Sequence, residues 1–332
     1  MSNAETSAET STKPNSEQVV EVRDLHKTFR IGFFRKRIDA VRGIDFEVKH
    51  GEIFGLLGPN GAGKTTTIKM LLRLIFPTSG SVRIFGRSNA DRESMRRIGY
   101  MPENPYVYQY LKPLEFLDLC GRLVGMDAAT RRKRSAELIE RIGLGHAVDR
   151  PVGRFSKGMT QRIGLAQALL HDPEVLILDE PMSGLDPVGR KEIREILFEQ
   201  RQRGKTLIFT SHILSDVETL CDRVTIISRG KVMAAGALSD LLRPEVRQVE
   251  FEFESVDDAL RNAIRELGAT IRDEKKSVHV VVEGDQAVPR VLELVQAGHA
   301  KLLAMTPKRE TLEDLFVRNA VQQRSEDAAR PR

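Results

Sequence analysis

The chain has 332 residues, of which 40% are hydrophobic and 30% charged, and it contains no Trp. This composition is typical of a folded globular protein of about two domains and argues against a mostly disordered chain. The net charge of +5 is mild, so it permits an anionic partner without requiring one.

The chain carries no pattern for crossing a membrane or for secretion. No apolar run approaches the ~18 residues that a spanning helix needs, and residues 1–18 lack the apolar middle region of a signal peptide. We expect residues 1–18 to form a disordered tail. The two cysteines, Cys120 and Cys221, are too few for a disulfide framework or a Cys-rich zinc site, and they fit a reducing cytosol.

Residues 19–240 have the pattern of one α/β domain. Apolar residues at 20, 22 and 25, and the strict alternation at 44–48, predict two half-buried antiparallel strands of a small side sheet, joined by a basic, aromatic loop. The apolar run at 53–57 predicts a buried strand, and the spacing from Thr65 to Phe76 predicts a helix. Two later apolar runs, at 175–178 and 206–209, predict strands buried on both faces of a parallel sheet.

A second, smaller domain is predicted at residues 245–320. Its first strand is predicted by the strict alternation of Val249 to Glu254. Strand and helix patterns then complete the order β-α-β-β-α-β, and this order is the ferredoxin-like α+β arrangement. A terminal helix is predicted from Thr311 to Val321, and residues 321–332 read as a charged tail.

A phosphate-binding pattern follows the strand at 53–57 and precedes a helix, as the Walker A motif requires. Its glycines allow backbone N–H groups to surround phosphate oxygens, and the following helix directs its positive end at the same anion. Lys64 supplies charge for the β- and γ-phosphates, and the hydroxyl of Thr65 is a ligand for Mg²⁺. A glycine-rich turn without a ligand is the weaker alternative. The predicted ATP-binding residues here are Gly58, Pro59, Asn60, Gly61, Ala62, Gly63, Lys64, Thr65 and Thr66.

Two acids end the buried strand at 175–178. Asp179 is expected to hold Mg²⁺, directly or through water. Glu180 is expected to orient and polarise the attacking water. Alone, such a pair could equally cap the next helix, but a phosphate-binding loop in the same domain favours the catalytic interpretation.

Three further pieces complete an ordered series: Ser156 and Gly158 at a helix start, the segment 183–186, and His212 after the strand at 206–209. This order resembles the ATP-binding cassette family over roughly residues 20–240. The resemblance implies that Ser156 and Gly158 contact the γ-phosphate of ATP held by a partner subunit. It also implies that Asp186 lies in the loop crossing the dimer interface, that Phe29 stacks on adenine, and that the switch residue His212 contacts the γ-phosphate.

Two departures from the family pattern are charged. The signature reads Phe155-Ser156-Lys157-Gly158-Met159 where the family usually has Leu-Ser-Gly-Gly-Gln. The loop after Tyr100 has Glu103 where the family usually has Gln. We expect Glu103 to remain a contact of the metal and the water, because a carboxylate can still reach Mg²⁺.

The resemblance also implies partners. It implies that two copies form a head-to-tail homodimer around ATP. It also implies that the closing and opening of this dimer moves separate integral-membrane permease subunits at the cytoplasmic face of the inner membrane. The tyrosines Tyr100, Tyr106, Tyr108 and Tyr110 either contact those subunits or pack a local helical lobe.

A soluble relative acting on nucleic acid or the ribosome is the alternative. Such relatives carry coiled coils or zinc modules between the Walker A and signature motifs, or two cassettes, and this chain has neither feature. We therefore expect no nucleic-acid partner. The small second domain and the segment Glu310 to Phe316 resemble bacterial exporter ATPases of the drug, antibiotic or lipid group. The role of this second domain is expected to be dimerisation or regulation. The permease is expected to select the transported molecule.

Overall fold

The computed structural model describes residues 18–32, 36–242, 246–274, 277–297, 300–315 and 318. The predicted tails, apart from Gln18, and part of the basic loop therefore lie outside the described residues. The chain divides between Ala237 and Leu238 into two compact units.

The side sheet of the first unit is antiparallel, as predicted. Strand β1 (Gln18–Ile31) pairs with β2 (Lys36–Lys49) on one side and β4 (Ser79–Ile84) on the other, and β4 pairs with β5 (Arg87–Ser88). Its alternating apolar side chains join one buried cluster, so the period-two pattern reflects one covered face.

The central sheet has six strands, and all neighbouring strands are parallel except the edge pair formed by the two strands latest in the chain, which is antiparallel. Three strands are buried along their whole length, which explains their uninterrupted apolar runs. In sheet order the strands are β10 (Lys231–Ala237), β9 (Arg223–Ser228), β3 (Ile53–Leu57), β8 (Thr206–Ser211), β7 (Val175–Asp179) and β6 (Ile98–Met101).

Parallel pairing brings the carboxyl ends of three strands to one edge. Leu57 of β3 lies opposite Ser211 of β8, and Asp179 of β7 lies opposite Thr210 of β8. The segments that follow these strands therefore emerge side by side, which is where open α/β sheets bind ligands.

Helices surround this sheet and form a lobe beside it. In the lobe, α3 and α4 pack on each other and on α5. The helices of this unit are α1 (Lys64–Leu71), α2 (Arg92–Arg96), α3 (Pro113–Leu123), α4 (Ala128–Arg141), α5 (Lys157–Leu169), α6 (Pro187–Gln202) and α7 (Leu214–Leu220).

Helix α1 is shorter than the predicted helix from Thr65 to Phe76, because it ends at Leu71. Arg73 adopts a left-handed conformation with φ 55°, and the N–H of Ile75 turns back to the carbonyl of Lys69. Ile75 still packs against the core. Ile75 therefore fits the helical spacing because it is buried after the chain reverses, and not because the helix continues to it.

The second unit has a four-stranded antiparallel sheet with two longer helices. The sheet order β12-β13-β11-β14 is the ferredoxin-like order, and apolar residues of one sheet face pack in a common cluster with both helices. After the short helix α8 (Leu238–Leu241), its elements are β11 (Val246–Phe253), α9 (Asp258–Glu266), β12 (Thr270–Asp273), β13 (Val278–Glu283), α10 (Val288–Ala297) and β14 (Leu302–Arg309).

The predicted terminal helix is described only in part, since 312–315 and Arg318 are helical and the remainder lies outside the described residues. Within the described ranges, no helix combines the length and the apolar character required to span a membrane.

Candidate nucleotide-binding site

The loop between β3 and α1 depends on three glycines for different reasons. A Cβ on Gly58 would lie 2.1 Å from the carbonyl oxygen of Ile227, and a Cβ on Gly63 would lie 2.6 Å from that of Ala40. Gly61 has open space around it, but its φ of +79° is left-handed. The loop is thus pressed against its neighbours at both ends and open in the middle, as close contact with an anion requires.

Lys64 begins α1 and is only 6% exposed. Its Nζ donates a 2.7 Å hydrogen bond to the carbonyl of Gly58 and lies 3.4 Å from Oε1 of Glu180. No side chain in the described part of the chain caps the amino end of α1, and its first turn holds no acid. A buried ammonium and uncapped N–H groups therefore face the same loop.

Asp179 is 1% exposed and accepts two side-chain hydrogen bonds at Oδ1. The hydroxyl of Thr65 donates one at 3.3 Å, and the hydroxyl of Thr210 donates the other at 2.6 Å. Burial and the charge of Asp179 raise the pKa of the nearby Tyr100 to about 12, so its phenol stays neutral. The hydroxyl and carboxylate of Thr65 and Asp179 form the oxygen set that suits Mg²⁺.

Glu180 follows the end of β7 in a left-handed conformation, with φ 52°. Its N–H donates to the hydroxyl of Thr210 at 2.9 Å, and its carbonyl accepts a hydrogen bond of 3.0 Å from Nε2 of Gln161. Thr210 and Gln161 are both buried. Two polar side chains therefore hold a backbone conformation that is unusual for a residue with a side chain.

The carboxylate of Glu180 lies between two basic groups. Oε2 is 2.8 Å from Nδ1 of His212, and Oε1 is 3.4 Å from Nζ of Lys64. Since Glu180 is buried and His212 is half-exposed, the acid is anchored while the imidazole stays accessible. Chemically, this carboxylate can accept a proton from a water molecule beside the phosphate loop.

These groups line one cavity of about 590 Å³. Most of the phosphate-binding loop, Glu103, Glu180 and His212 are brought together there. Asp179 does not line the cavity itself, but it is hydrogen-bonded to the lining residue Thr65. The lining residues are Ala40, Pro59, Asn60, Gly61, Ala62, Gly63, Lys64, Thr65, Thr66, Glu103, Glu180, Ser183 and His212.

The three predicted contacts to a nucleotide of the partner copy or at the dimer interface do not line this cavity. Ser156 caps α5 by accepting a 3.3 Å hydrogen bond from the N–H of Met159, and Gly158 lies in the first turn of the same helix. Asp186 caps α6 by accepting from the N–H of Gly189 at 2.8 Å. Within one chain, Ser156 and Asp186 therefore act as ordinary helix caps.

Phe29 lies on β1, also outside the cavity lining. Its ring is half-buried, and Nζ of Lys27 lies 5.1 Å from the ring centre. The predicted stacking on adenine therefore stays a prediction.

The tyrosine cluster divides in two. Tyr100 on β6 is half-buried and packs against the core of the side sheet. Tyr106, Tyr108 and Tyr110 are 91%, 60% and 93% exposed. The alternative that the tyrosines pack the helical lobe is therefore wrong for these three, because their side chains face solvent.

Sequence reasoning missed Thr210 and Gln161. The available signal was positional, because Thr210 lies at the carboxyl end of the predicted strand beside the one that ends in Asp179. A polar residue in an otherwise apolar buried run needs a hydrogen-bond partner. The contact of Gln161 with Glu180 joins segments 19 residues apart, and the sequence offered no comparable signal for it.

The parallel sheet and the loop at the end of its strand β3 define a P-loop nucleotide-binding protein. The ABC transporter family model matches residues 41–183. An uncharacterised ABC transporter ATP-binding protein of Synechocystis sp. is 39% identical over 312 residues, which cover 92% of this chain and 85% of that protein. This chain therefore belongs to the ABC transporter family, as an ATP-binding subunit.

Named relatives have similar coverage. The bacitracin transport ATP-binding protein BcrA of Bacillus licheniformis is 36% identical over 90% of this chain and 96% of its own length. The linearmycin resistance ATP-binding protein LnrL of Bacillus subtilis is 35% identical over 83% and 92%. Among solved structures, a dimeric ATP-binding cassette in a post-hydrolysis state with ADP and Pi matches with a TM-score of 0.61 and 25% identity, covering 66% of this chain and 98% of that one. The predicted P-loop fold of the ABC ATPase domain is confirmed.

Proposed function

We propose that this chain hydrolyses ATP to power export through separate integral-membrane permease subunits, and that it acts as a head-to-tail homodimer. The observation that carries the proposal is the carboxylate of Glu180, which is held between Lys64 and His212 at the edge of the phosphate-loop cavity. A base, a phosphate cradle and an accessible imidazole in one cavity are the parts that phosphoryl transfer to water needs.

ATP binding follows from the loop. Its open backbone around Gly61 and the amino end of α1 would hold the phosphates, with Lys64 as the main cation. The oxygens of Thr65 and Asp179, with Glu103 from the cavity rim, would hold Mg²⁺ together with phosphate oxygens. When bound, Mg²⁺ neutralises charge on the phosphate oxygens.

For hydrolysis, we infer that the water oxygen attacks the γ-phosphorus while Glu180 accepts the water proton. The bond to the β-phosphate oxygen breaks, and the products are ADP and phosphate. Lys64 and His212 now contact Glu180, and the γ-phosphate would compete for the same two cations. ATP binding would therefore release the carboxylate to face water.

The dimer is supported by the position of three predicted contacts outside the cavity of their own chain. Ser156, Gly158 and Asp186 lie at the amino ends of α5 and α6, outside the cavity lining. A second copy in a two-fold arrangement would bring its α5 to this cavity and receive the same contact in return. The dimeric state of the similar cassette supports this arrangement.

The membrane partner and the direction of transport rest on different support. Three exposed tyrosines, Tyr106, Tyr108 and Tyr110, provide an aromatic surface of the kind that interfaces use. The relatives named for bacitracin transport and linearmycin resistance support export. We place the chain at the cytoplasmic face of the inner membrane, bound to its permease. The unit from residue 245 to 320 would serve dimerisation or regulation.

Two measurements test the proposal. Light scattering of a Glu180→Gln variant should show dimers with ATP and single copies without it. A tagged chain should co-purify with integral-membrane proteins from solubilised membranes, and a Tyr106→Ala, Tyr108→Ala, Tyr110→Ala triple variant should lose them while keeping ATP hydrolysis. Single copies at saturating ATP would contradict the dimer, and co-purification with nucleic acid or ribosomes instead would contradict the transport function.

A further inference from the structure

Two exposed charged residues depart from the family pattern and have no ion-pair partner within the described part of the chain: Glu103 and Lys157. Neither is needed to cap or pack a helix by its charge. They lie in different places, because Glu103 lines the phosphate-loop cavity and Lys157 does not.

Glu103 makes the cavity more negative. The lining residues carry one permanent cation, Lys64, against the two carboxylates Glu103 and Glu180, with Asp179 buried behind them. A triphosphate carries more negative charge than one bound Mg²⁺ balances, so ATP with its metal would still add net negative charge beside Glu103. Because attraction between opposite charges strengthens where a second copy would exclude water, an additional cation there would favour ATP.

Lys157 is the first residue of α5 and follows Ser156. Its side chain extends across Gly184, since a Cβ on Gly184 would lie 2.7 Å from Cδ, 2.8 Å from Cε and 3.1 Å from Nζ of Lys157. A Cβ on the neighbouring Gly158 would lie 3.2 Å from Leu185. The amino end of α5 and the loop 183–186 therefore form one surface, with the ammonium of Lys157 on it.

We propose that in the ATP-bound dimer Lys157 of one copy balances the charge of Glu103 in the other copy. The inference rests on the proposed function, because the head-to-tail arrangement is what brings the amino end of α5 to the partner copy's cavity. The two departures from the family pattern then compensate each other. A Gln at position 103 would leave no extra carboxylate to balance, and a Gly at position 157 would offer no cation.

A double-mutant cycle tests this pairing in the Glu180→Gln background. The measured quantity is the ATP concentration that gives half-maximal dimer in light scattering at ~50 mM salt. With Glu103 present, Lys157→Met should raise this concentration about tenfold, and with Glu103→Gln it should raise it by about twofold or less. Methionine keeps the unbranched stem over Gly184, so the change removes mainly charge.

Lys133→Met is the matched control, because Lys133 is an exposed lysine on α4. It should leave the ATP requirement unchanged. Raising the salt to ~500 mM should shrink the effect of Lys157→Met, since screening weakens a charge pair but not apolar packing. Equal effects of Lys157→Met in both Glu103 backgrounds, or no effect in either, would overturn the inference. If the Glu180→Gln parent fails to dimerise with ATP, the proposed function fails and this inference fails with it.

Mixed dimers, purified with two different tags, show which chains form the pair. Joining a Lys157→Met copy to a Glu103→Gln copy leaves no unbalanced Glu103 if pairing crosses the interface. Joining an unsubstituted copy to a doubly substituted copy leaves one. We expect the first mixed dimer to need less ATP than the second. The reverse order would mean pairing within one chain and would overturn the proposal.

Discussion

The hydroxyl of Thr210 donates a 2.6 Å hydrogen bond to Oδ1 of Asp179. The same hydroxyl oxygen accepts a 2.9 Å hydrogen bond from the N–H of Glu180. One buried side chain on β8 therefore fixes both acids at the end of the neighbouring strand β7. The orientation of the proposed metal-binding acid and that of the proposed general base are thus linked through a buried residue that does not line the cavity.

Replacing Thr210 by valine keeps its shape but removes this hydroxyl. The N–H of Glu180 then loses its partner in a buried position, and we expect the free energy of unfolding to fall by about 1–3 kcal/mol. The rate of ATP hydrolysis should fall as well, because the acids lose their alignment, whereas Thr210→Ser should preserve both properties. Urea unfolding and steady-state ATPase assays measure these effects. An active, fully stable valine variant would contradict the positioning role.

Glu180→Gln should bind ATP but lower kcat about 10²- to 10⁴-fold, because the amide cannot accept the water proton. Nucleotide binding by fluorescence and single-turnover hydrolysis separate the two effects. The control is Glu137→Gln, which removes an exposed carboxylate on α4 and should change neither. Wild-type hydrolysis by Glu180→Gln would show that another group is the base.

Lys64→Ala should abolish productive ATP binding. The phosphates lose their main cation, and the buried carboxylate of Glu180 keeps only His212 beside it. Lys64→Arg should not restore binding, because the bulky planar guanidinium does not fit the position of a buried ammonium bonded to Gly58. Isothermal titration with ATP gives the result directly. An affinity within a few-fold of the wild-type value would disprove the assignment.

Two glycine substitutions in the loop should differ in their effect on stability. Gly61→Ala meets open space and should cost about 1–2 kcal/mol from its left-handed backbone alone. Gly58→Ala also forces a Cβ to within 2.1 Å of the Ile227 carbonyl, so the backbone must shift and the loss should be larger. Urea unfolding of both variants compares them. Equal losses would show that the close contact at Gly58 is relieved easily.

His171 should contribute to acid sensitivity. Burial lowers the pKa of its imidazole, whose Nε2 lies 3.1 Å from the carbonyl oxygen of Ile98. The unfolded chain would protonate this group below about pH 6.5, whereas the folded chain resists protonation to lower pH. The unfolded state then binds more protons, so stability falls as pH falls below about 6.5 and is retained above it.

The measurement is the free energy of unfolding between pH 5 and pH 7.5. His171→Gln can still donate to the Ile98 carbonyl and should flatten the acid side of this profile. The exposed His146→Gln is the control. An unchanged slope in His171→Gln would assign the acid sensitivity to other groups.

The sequence patterns predicted those parts of the fold and site that depend on neighbours along the chain. The apolar runs gave the buried strands, and the phosphate loop was recognisable because a strand, glycines and a helix follow one another. The end of α1 was not predictable, because the left-handed residue that ends it is Arg73. Left-handed residues are mostly glycines, and no glycine marks this position in the sequence.

Contacts between distant segments were predictable only where strand order could be inferred. Asp179 and Thr65 were expected near one metal, and they are hydrogen-bonded. The bond from Gln161 to the Glu180 carbonyl depends on how α5 lies over the sheet, which a periodic pattern does not specify. Similarly, a position at the amino end of α5 fixes what Ser156 does within its own chain, but not what a second copy would contact.

That bond from Gln161 has a kinetic consequence within the proposed pair. The helix whose first turn would touch one nucleotide is tied by a buried amide to the acid serving the other nucleotide. Displacing the helix would pull on a backbone already held in an unusual conformation. We therefore expect hydrolysis at one site to depend on hydrolysis at the other. Removing the Gln161 hydrogen bond should make the two sites hydrolyse ATP independently.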